Sequence, residues 1–443
     1  MGGEVSKEGR QMRKKWGTDK HWTLFTKARS KAKSLVLLML AGFVMSACGL
    51  AVPSTEGIQE IPTPTETPIQ PATPTLTPTP GPAFPAGLAA PLGDDWPAIT
   101  ADTATNVERV YEHHVDGLVE VLGSVENEIL ALITHDWVTF INGDDLNPIT
   151  SFAIDAFGDL TAAEMDAGLF VLASRDRYLR VFDVPRVEAR HVLDGEVEHL
   201  ALSSDGRVLA GAGVDGLLTL WDLETGERMQ VTTLQVMPSR LTFLPDGDTL
   251  AVELAGEPLE HVELWSVEGG ELTRTLEWAD RSGPIYFVTF SPDGTTAAWV
   301  SRASVLLMEV ASGDARATLG HEDFVSEAIF APQGEILATT SAAEVDDEFV
   351  AVIDLWDVRS GEKLQTIVHG DAAVRIDFSP DGSLLASATY DGVIRLWDIV
   401  SGEMLQEFDS QQERVFRLFF AYGGRLLLCA SWEGPVRIYA VQE

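Results

Sequence analysis

The sequence predicts an all-β fold assembled from repeated units of several short strands, carried behind a leader and a linker that cannot pack. Three observations carry this. From about residue 105 the chain repeats itself roughly every 40–48 residues. Within each unit, runs rich in β-branched and aliphatic residues alternate with Gly/Asp turns, the pattern of short strands rather than helices. In five units a glycine follows five residues after a bulky landmark: Gly226, Gly270, Gly313, Gly361 and Gly402. That register holds while the spacing between units drifts, so it marks a turn of fixed geometry.

The N-terminus reads as an address. Residues 1–33 are polar with a basic excess, and the apolar run Leu35 to Ala47 ends in Ser46-Ala47-Cys48-Gly49. A charged region, a short apolar core and small residues form the pattern of an export signal. Met45-Ser46-Ala47-Cys48 resembles the bacterial lipobox, which implies a signal peptide over 1–47 and lipidation of Cys48, for example with palmitate. The alternative is an uncleaved signal anchor, since the apolar stretch 35–52 reaches 18 residues. Met12 is an alternative start. Either way the remainder is expected on the extracytoplasmic side of a cell membrane.

Residues 48–104 follow as a linker. Eleven of the 22 prolines lie between positions 53 and 92, interleaved with threonine. Proline removes backbone donors and threonine offers no core, so this segment is expected to run extended as a stalk. Such Thr/Pro-rich stalks can carry O-glycans.

The repeats fill 105–443. The clearest copy is Phe378-Ser379-Pro380-Asp381-Gly382 through Tyr390-Asp391-Gly392 to Leu396-Trp397-Asp398, then Ser401-Gly402-Glu403. Pro presets φ, Asp caps its own turn, and Gly supplies positive φ. This copy resembles the WD-repeat β-propeller family, and the resemblance covers essentially the whole chain after the stalk. Landmarks near 141, 182, 221, 265, 308, 356, 397 and 439 predict eight blades, with seven as the alternative. The chain ends after the third strand of its last unit. The segment Asn106 to His114 is the candidate to complete that blade, a closure usual in the family.

The resemblance also implies a hydrogen-bonded set inside a blade. One unit carries it complete: His369, Ser387 (or Thr389), Asp391 and Trp397. His321 occupies the histidine position of the unit ending at Trp356. These residues are expected to be structural.

One insertion departs from the repeat. Turn glycine and tryptophan are 22 residues apart in the sixth unit, against 15 from Gly382 to Trp397. The added residues include Glu344, Asp346, Asp347 and Glu348, expected in a loop on the face that commonly docks partners. A smaller excess surrounds Ala255 to His261. The inserted acids are the candidate partner contacts.

No enzyme motif is present: neither a Gly-x-Ser-x-Gly elbow, His-Glu-x-x-His, a phosphate-cradling Gly-rich loop nor an EF-hand spacing. Two cysteines exclude a disulfide framework, and Cys429 sits in an apolar run as a core residue. No catalytic residue, cofactor or metal is expected. Net charge is −37. Three acids and ten bases precede Cys48, leaving 65 acids against 21 bases after it, or −44. That surface repels nucleic acid and suits solubility or a basic partner. The reading is a monomeric, membrane-anchored protein-binding scaffold. The rivals are an envelope assembly lipoprotein and, less favoured, a propeller enzyme with a site at the channel mouth.

Overall fold

In three blades the first strand pair is joined by a serine, an aspartate and a glycine that close the turn without help from outside. Ser379 Oγ donates to Asp381 Oδ1 at 2.6 Å, and Leu384 N returns a bond to Ser379 Oγ at 2.9 Å. Gly382 stands at φ 72°, a conformation that side chains resist. The same closure recurs at Ser203/Asp205 and Ser291/Asp293. Where Leu244 replaces the serine, Asp246 accepts Thr249 N at 2.8 Å instead.

In the computed structural model the described residues are 97–115, 118–123, 129–154, 159–186, 188–254, 261–278, 284–345, 348–370, 373–389, 392–409, 415–431 and 435–441. All fall within one compact unit, Ile69–Glu443. They form eight four-stranded antiparallel sheets, an eight-bladed β-propeller. Blade 1 spans 118–153, blade 2 160–194, blade 3 199–233, blade 4 238–277, blade 5 285–320, blade 6 327–370 and blade 7 373–409. Blade 7 shows the plan: Ala373–Phe378 innermost, then Leu384–Thr389, Val393–Asp398 and Met404–Asp409 at the rim. Seven blades, the alternative count, would require one weak repeat to be something else. The weakest, blade 1, is a complete sheet of Leu118–Gly123, Ile129–Thr134, Trp137–Asn142 and Pro148–Ala153.

Blade 8 joins the two ends of the repeat region. Val415–Ala421, Leu426–Ser431 and Pro435–Val441 come from one end, and Val107–His114 supplies the rim strand. Pairing runs from Val107↔Val441 to His114↔Pro435. Val107 and Tyr111 enter the core, 0% and 5% exposed. Ahead of this strand, Ile99 is buried and its N–H donates to Gly424 O at 2.8 Å.

The core is a ring of eight joints, each an apolar cluster between neighbouring sheets. The landmark of every unit faces the preceding blade. Trp221 lies among blade 2 side chains, Trp356 among those of blade 5 and Trp397 among those of blade 6. The substitutes do likewise: Ile141 meets blade 8, Phe182 blade 1, Met308 blade 4 and Tyr439 blade 7. The position conserves a role, filling a joint, rather than an indole. A sheet that is apolar on both faces must be covered on both, and closing the ring covers every one.

Candidate functional site

The innermost question is whether the buried polar sets do chemistry or hold the blades. Where the rim strand of blade 6 leads into blade 7, His369 Nε2 lies 2.9 Å from Ser387 Oγ of blade 7, and Trp397 Nε1 donates to the same oxygen at 2.8 Å. His369 is 4% and Ser387 0% exposed. Thr389, the alternative to Ser387, instead accepts Val393 N at 2.8 Å and closes the next turn. Asp391 lies outside the described residues. In blade 6 the arrangement repeats without a carboxylate. His321 Nε2 is 2.8 Å from Thr339 Oγ1, and Trp356 Nε1 donates to that oxygen at 2.9 Å. The position six residues before Trp356 is Val350, which offers no acceptor, and His321 Nδ1 is buried without a partner. Burial lowers the His321 pKa to about 4. A hydroxyl already accepting an indole N–H inside a sheet joint is poorly placed to attack a substrate. These sets tie the third strand to the second and to the entry of the blade.

Of the inserted acids, Glu344 and Glu348 lie on strands rather than in a loop. Ile336–Val345 and Glu348–Asp357 are each ten residues, and they pair continuously from Ile336↔Asp357 to Val345↔Glu348. The inner strand, Glu327–Phe330, covers only Leu337 to Thr340. The rim strand, Lys363–Gly370, pairs with Ala351 to Trp356. The hairpin therefore projects beyond its own blade. Each of these strands is four residues longer than its six-residue counterpart in blade 7, an even gain that keeps the alternation of faces, which is why the insertion is tolerated. Glu344 is exposed, and its N–H donates to Glu322 Oε2 at 2.8 Å. Glu348 begins the second strand, while Asp346 and Asp347 lie outside the described residues. Residues 255–260 of the smaller excess also lie outside them; His261 opens the third strand of blade 4.

Inside the ring the inner strands bring together charges that sequence reasoning missed. Arg417 Nε of blade 8 donates to Glu120 Oε1 of blade 1 at 2.6 Å. Ile376 N of blade 7 donates to Glu327 Oε2 of blade 6 at 2.7 Å, and Phe420 N of blade 8 to Asp377 Oδ2 of blade 7 at 2.7 Å. Burial pushes the Glu164, Glu327 and Asp377 carboxyls each up to about 7. Glu327 and Asp377 keep part of their surface open. These carboxyls therefore act as acceptors for backbone N–H groups on the free edge of the next inner strand. The available signal was a charge within an otherwise apolar first strand. Cys429 is fully buried, which raises its thiol pKa to about 12 and leaves it unreactive.

With that geometry in place, comparison with known proteins matches two stretches of the repeat region. The WD40 family, described as WD domain, G-beta repeat, matches residues 188–222 and 361–398. WD repeat-containing protein 36 of Homo sapiens is 27% identical over 34% of this chain and 16% of its own length. A WD repeat-containing protein of Synechocystis sp. is 28% identical over 31% of this chain and 40% of its own. Small ribosomal subunit protein RACK1y of Oryza sativa is 28% identical over 29% and 40%. The chain thus spans less than half the length of each of these relatives. Among solved structures, the computationally designed Ika8 protein superposes with a TM-score of 0.58 at 17% identity, covering 74% of this chain and 98% of that one. That likeness speaks to the fold alone.

Proposed function

We propose that this WD40-repeat β-propeller is a protein-binding scaffold tethered to a membrane on its extracytoplasmic side, with no reaction of its own. Propellers of this kind commonly bind proteins. The observation that supports a specific contact is the blade 6 hairpin, Ile336–Val345 with Glu348–Asp357, which extends past its neighbours from a closed ring. The paired backbone of the two strands is formed before binding, so little backbone ordering entropy opposes contact. Glu344, Asp346, Asp347 and Glu348 are the proposed contacts, and their charge selects a basic partner surface.

The tether rests on the lipobox-like Met45-Ser46-Ala47-Cys48 and the proline-rich stalk behind it. Each buried acyl methylene contributes about 0.8 kcal/mol, so two or more chains on Cys48 anchor stably. Two experiments test the reading. Crosslinking on intact cells should capture a partner with the wild-type chain and lose it when residues 343–349 are deleted; an unchanged capture removes the hairpin from the site. Radioactive palmitate should label the chain, and Cys48→Ala should abolish the label; persistent membrane association of unlabelled Cys48→Ala would favour an uncleaved anchor.

A further inference from the structure

The blade 6 hairpin is not the only feature of the ring suited to contact. Exposed large apolar side chains gather on blade 3 and its exit: Val214 at 51%, Met229 at 48%, Val236 at 44%, Val231 at 43% and Met237 at 38%. These are five of the twelve such residues among those described, within 24 positions of sequence. Singly exposed apolar residues are ordinary, but a contiguous group is a recognition feature.

The group sits on a stiff frame. The turn 213–216 and the connection 234–237 are joined by Leu234 N donating to Gly216 O at 2.8 Å. On the other side Glu198 N donates to Ala212 O at 2.8 Å. Gly213 lies so close to the Glu196 carbonyl that an added Cβ would come within 2.0 Å of it. Val214 and the pair Val236-Met237 are thus presented by two turns hydrogen-bonded to each other. Around them stand Glu196, Glu198 and Asp215, all exposed, with Glu196 Oε2 3.6 Å from Arg177 Nε and so open to exchange of that partner. Down the rim, the strand Arg228–Thr233 carries Met229 and Val231 with no acid in it.

We propose that this blade 3 surface binds an extended peptide segment of another protein that carries apolar side chains flanked by lysine or arginine. The apolar centre takes the hydrophobic residues, and the carboxylates of Glu196, Glu198 and Asp215 face the basic flanks. A second copy of this chain is the disfavoured occupant, because the −44 charge after Cys48 would be brought against itself. The inference rests on the scaffold reading but places the contact on a blade other than that of the hairpin.

The test is selection from a random-peptide display library on the full chain in three forms: wild type, Val236→Asp/Met237→Asp, and the chain lacking residues 343–349. Melting temperature establishes that each form is folded, and Val214→Asp replaces the double variant if that one is not. The expected result is a wild-type consensus of apolar residues flanked by Lys/Arg. Its binding should weaken roughly tenfold or more in the blade 3 variant and persist in the hairpin deletion. Loss only in the hairpin deletion would leave the scaffold reading standing and overturn this one. An acidic consensus, no consensus, or equal binding to the blade 3 variant also overturns it. So does concentration-dependent self-association of wild type that the blade 3 variant abolishes, since the occupant would then be a second copy.

Discussion

The indole N–H of Trp397 donates to Ser387 Oγ at 2.8 Å across two strands of blade 7, and the same oxygen faces His369 Nε2. One hydroxyl thus serves two buried groups that have no water to turn to. Ser387→Ala should cost roughly 1–3 kcal/mol, more than an exposed serine would, because it strands a buried donor and a ring nitrogen. Urea unfolding of Ser387→Ala beside Ser326→Ala, whose site is exposed, measures the difference. Equal costs would mean that the set contributes nothing beyond packing.

The glycines that follow five of the landmarks at a spacing of five residues should differ from other glycines in their tolerance of a side chain. Gly402 stands at φ 71°, and an added Cβ would come within 1.6 Å of Gln365 Nε2. Gly402→Ala is expected to destabilise by about 1 kcal/mol or more. Gly320 has nothing within 4 Å of its Cβ direction and no positive φ, so Gly320→Ala should be neutral or slightly stabilising. Paired thermal melts decide, and a Gly402→Ala protein as stable as wild type would contradict the turn assignment.

Closure of the ring by Val107–His114 can be weighed directly. A chain beginning at Pro97 retains this strand, while one beginning at Val115 lacks it together with the buried side chains of Val107 and Tyr111. Losing these two side chains, together with buried Ile99 ahead of them, costs about 4–9 kcal/mol before the edge left on Pro435–Val441 is counted. The shorter chain should melt at markedly lower temperature and self-associate through the exposed edge. Similar melting of the two would show that the strand is dispensable.

Stability should carry the signature of His321. Its folded pKa is lowered to about 4 by burial, below the ordinary value near 6.5. The unfolded chain therefore binds the proton more readily between those values, and stability contributed by the neutral ring is lost as pH falls from about 6.5 through 4. His321→Gln should flatten that part of the stability–pH curve relative to wild type. The carboxyls of Glu164, Glu327 and Asp377 act with the opposite sign: their folded pKa values near 7 favour the native state at low pH, and that contribution fades as pH rises through 7. Comparing Glu327→Gln with His321→Gln separates the two.

Much of this architecture was readable in the chain because the repeat writes each turn in residues that few other geometries want. Gly382 and Gly402 mark reversals at positive φ, and the landmarks from Ile141 to Tyr439 fall on third strands throughout. The set of His369, Ser387 and Trp397 came from the family resemblance rather than from composition or spacing. The hairpin of blade 6 was misread as a loop because an acidic insertion looks like solvent-facing turn sequence. Its alternation, Ala342 to Val345 against Glu348 to Ala351, acquires meaning only once a partner strand is present.

What the order of residues determined alone is local: where strands start and stop, which side chains are apolar on both faces, and that a strand was missing from the last unit. Those follow from steric limits on φ and from alternation, which act over a few residues. The ring decided the rest. That Glu327 meets Ile376 N, that Arg417 reaches Glu120, and that the turn holding Val214 bonds the connection holding Val236 and Met237 are relations between segments tens to hundreds of residues apart. Such meetings are set by how sheets pack at their joints, and burial then fixes the charge state and exposure of what they bring together.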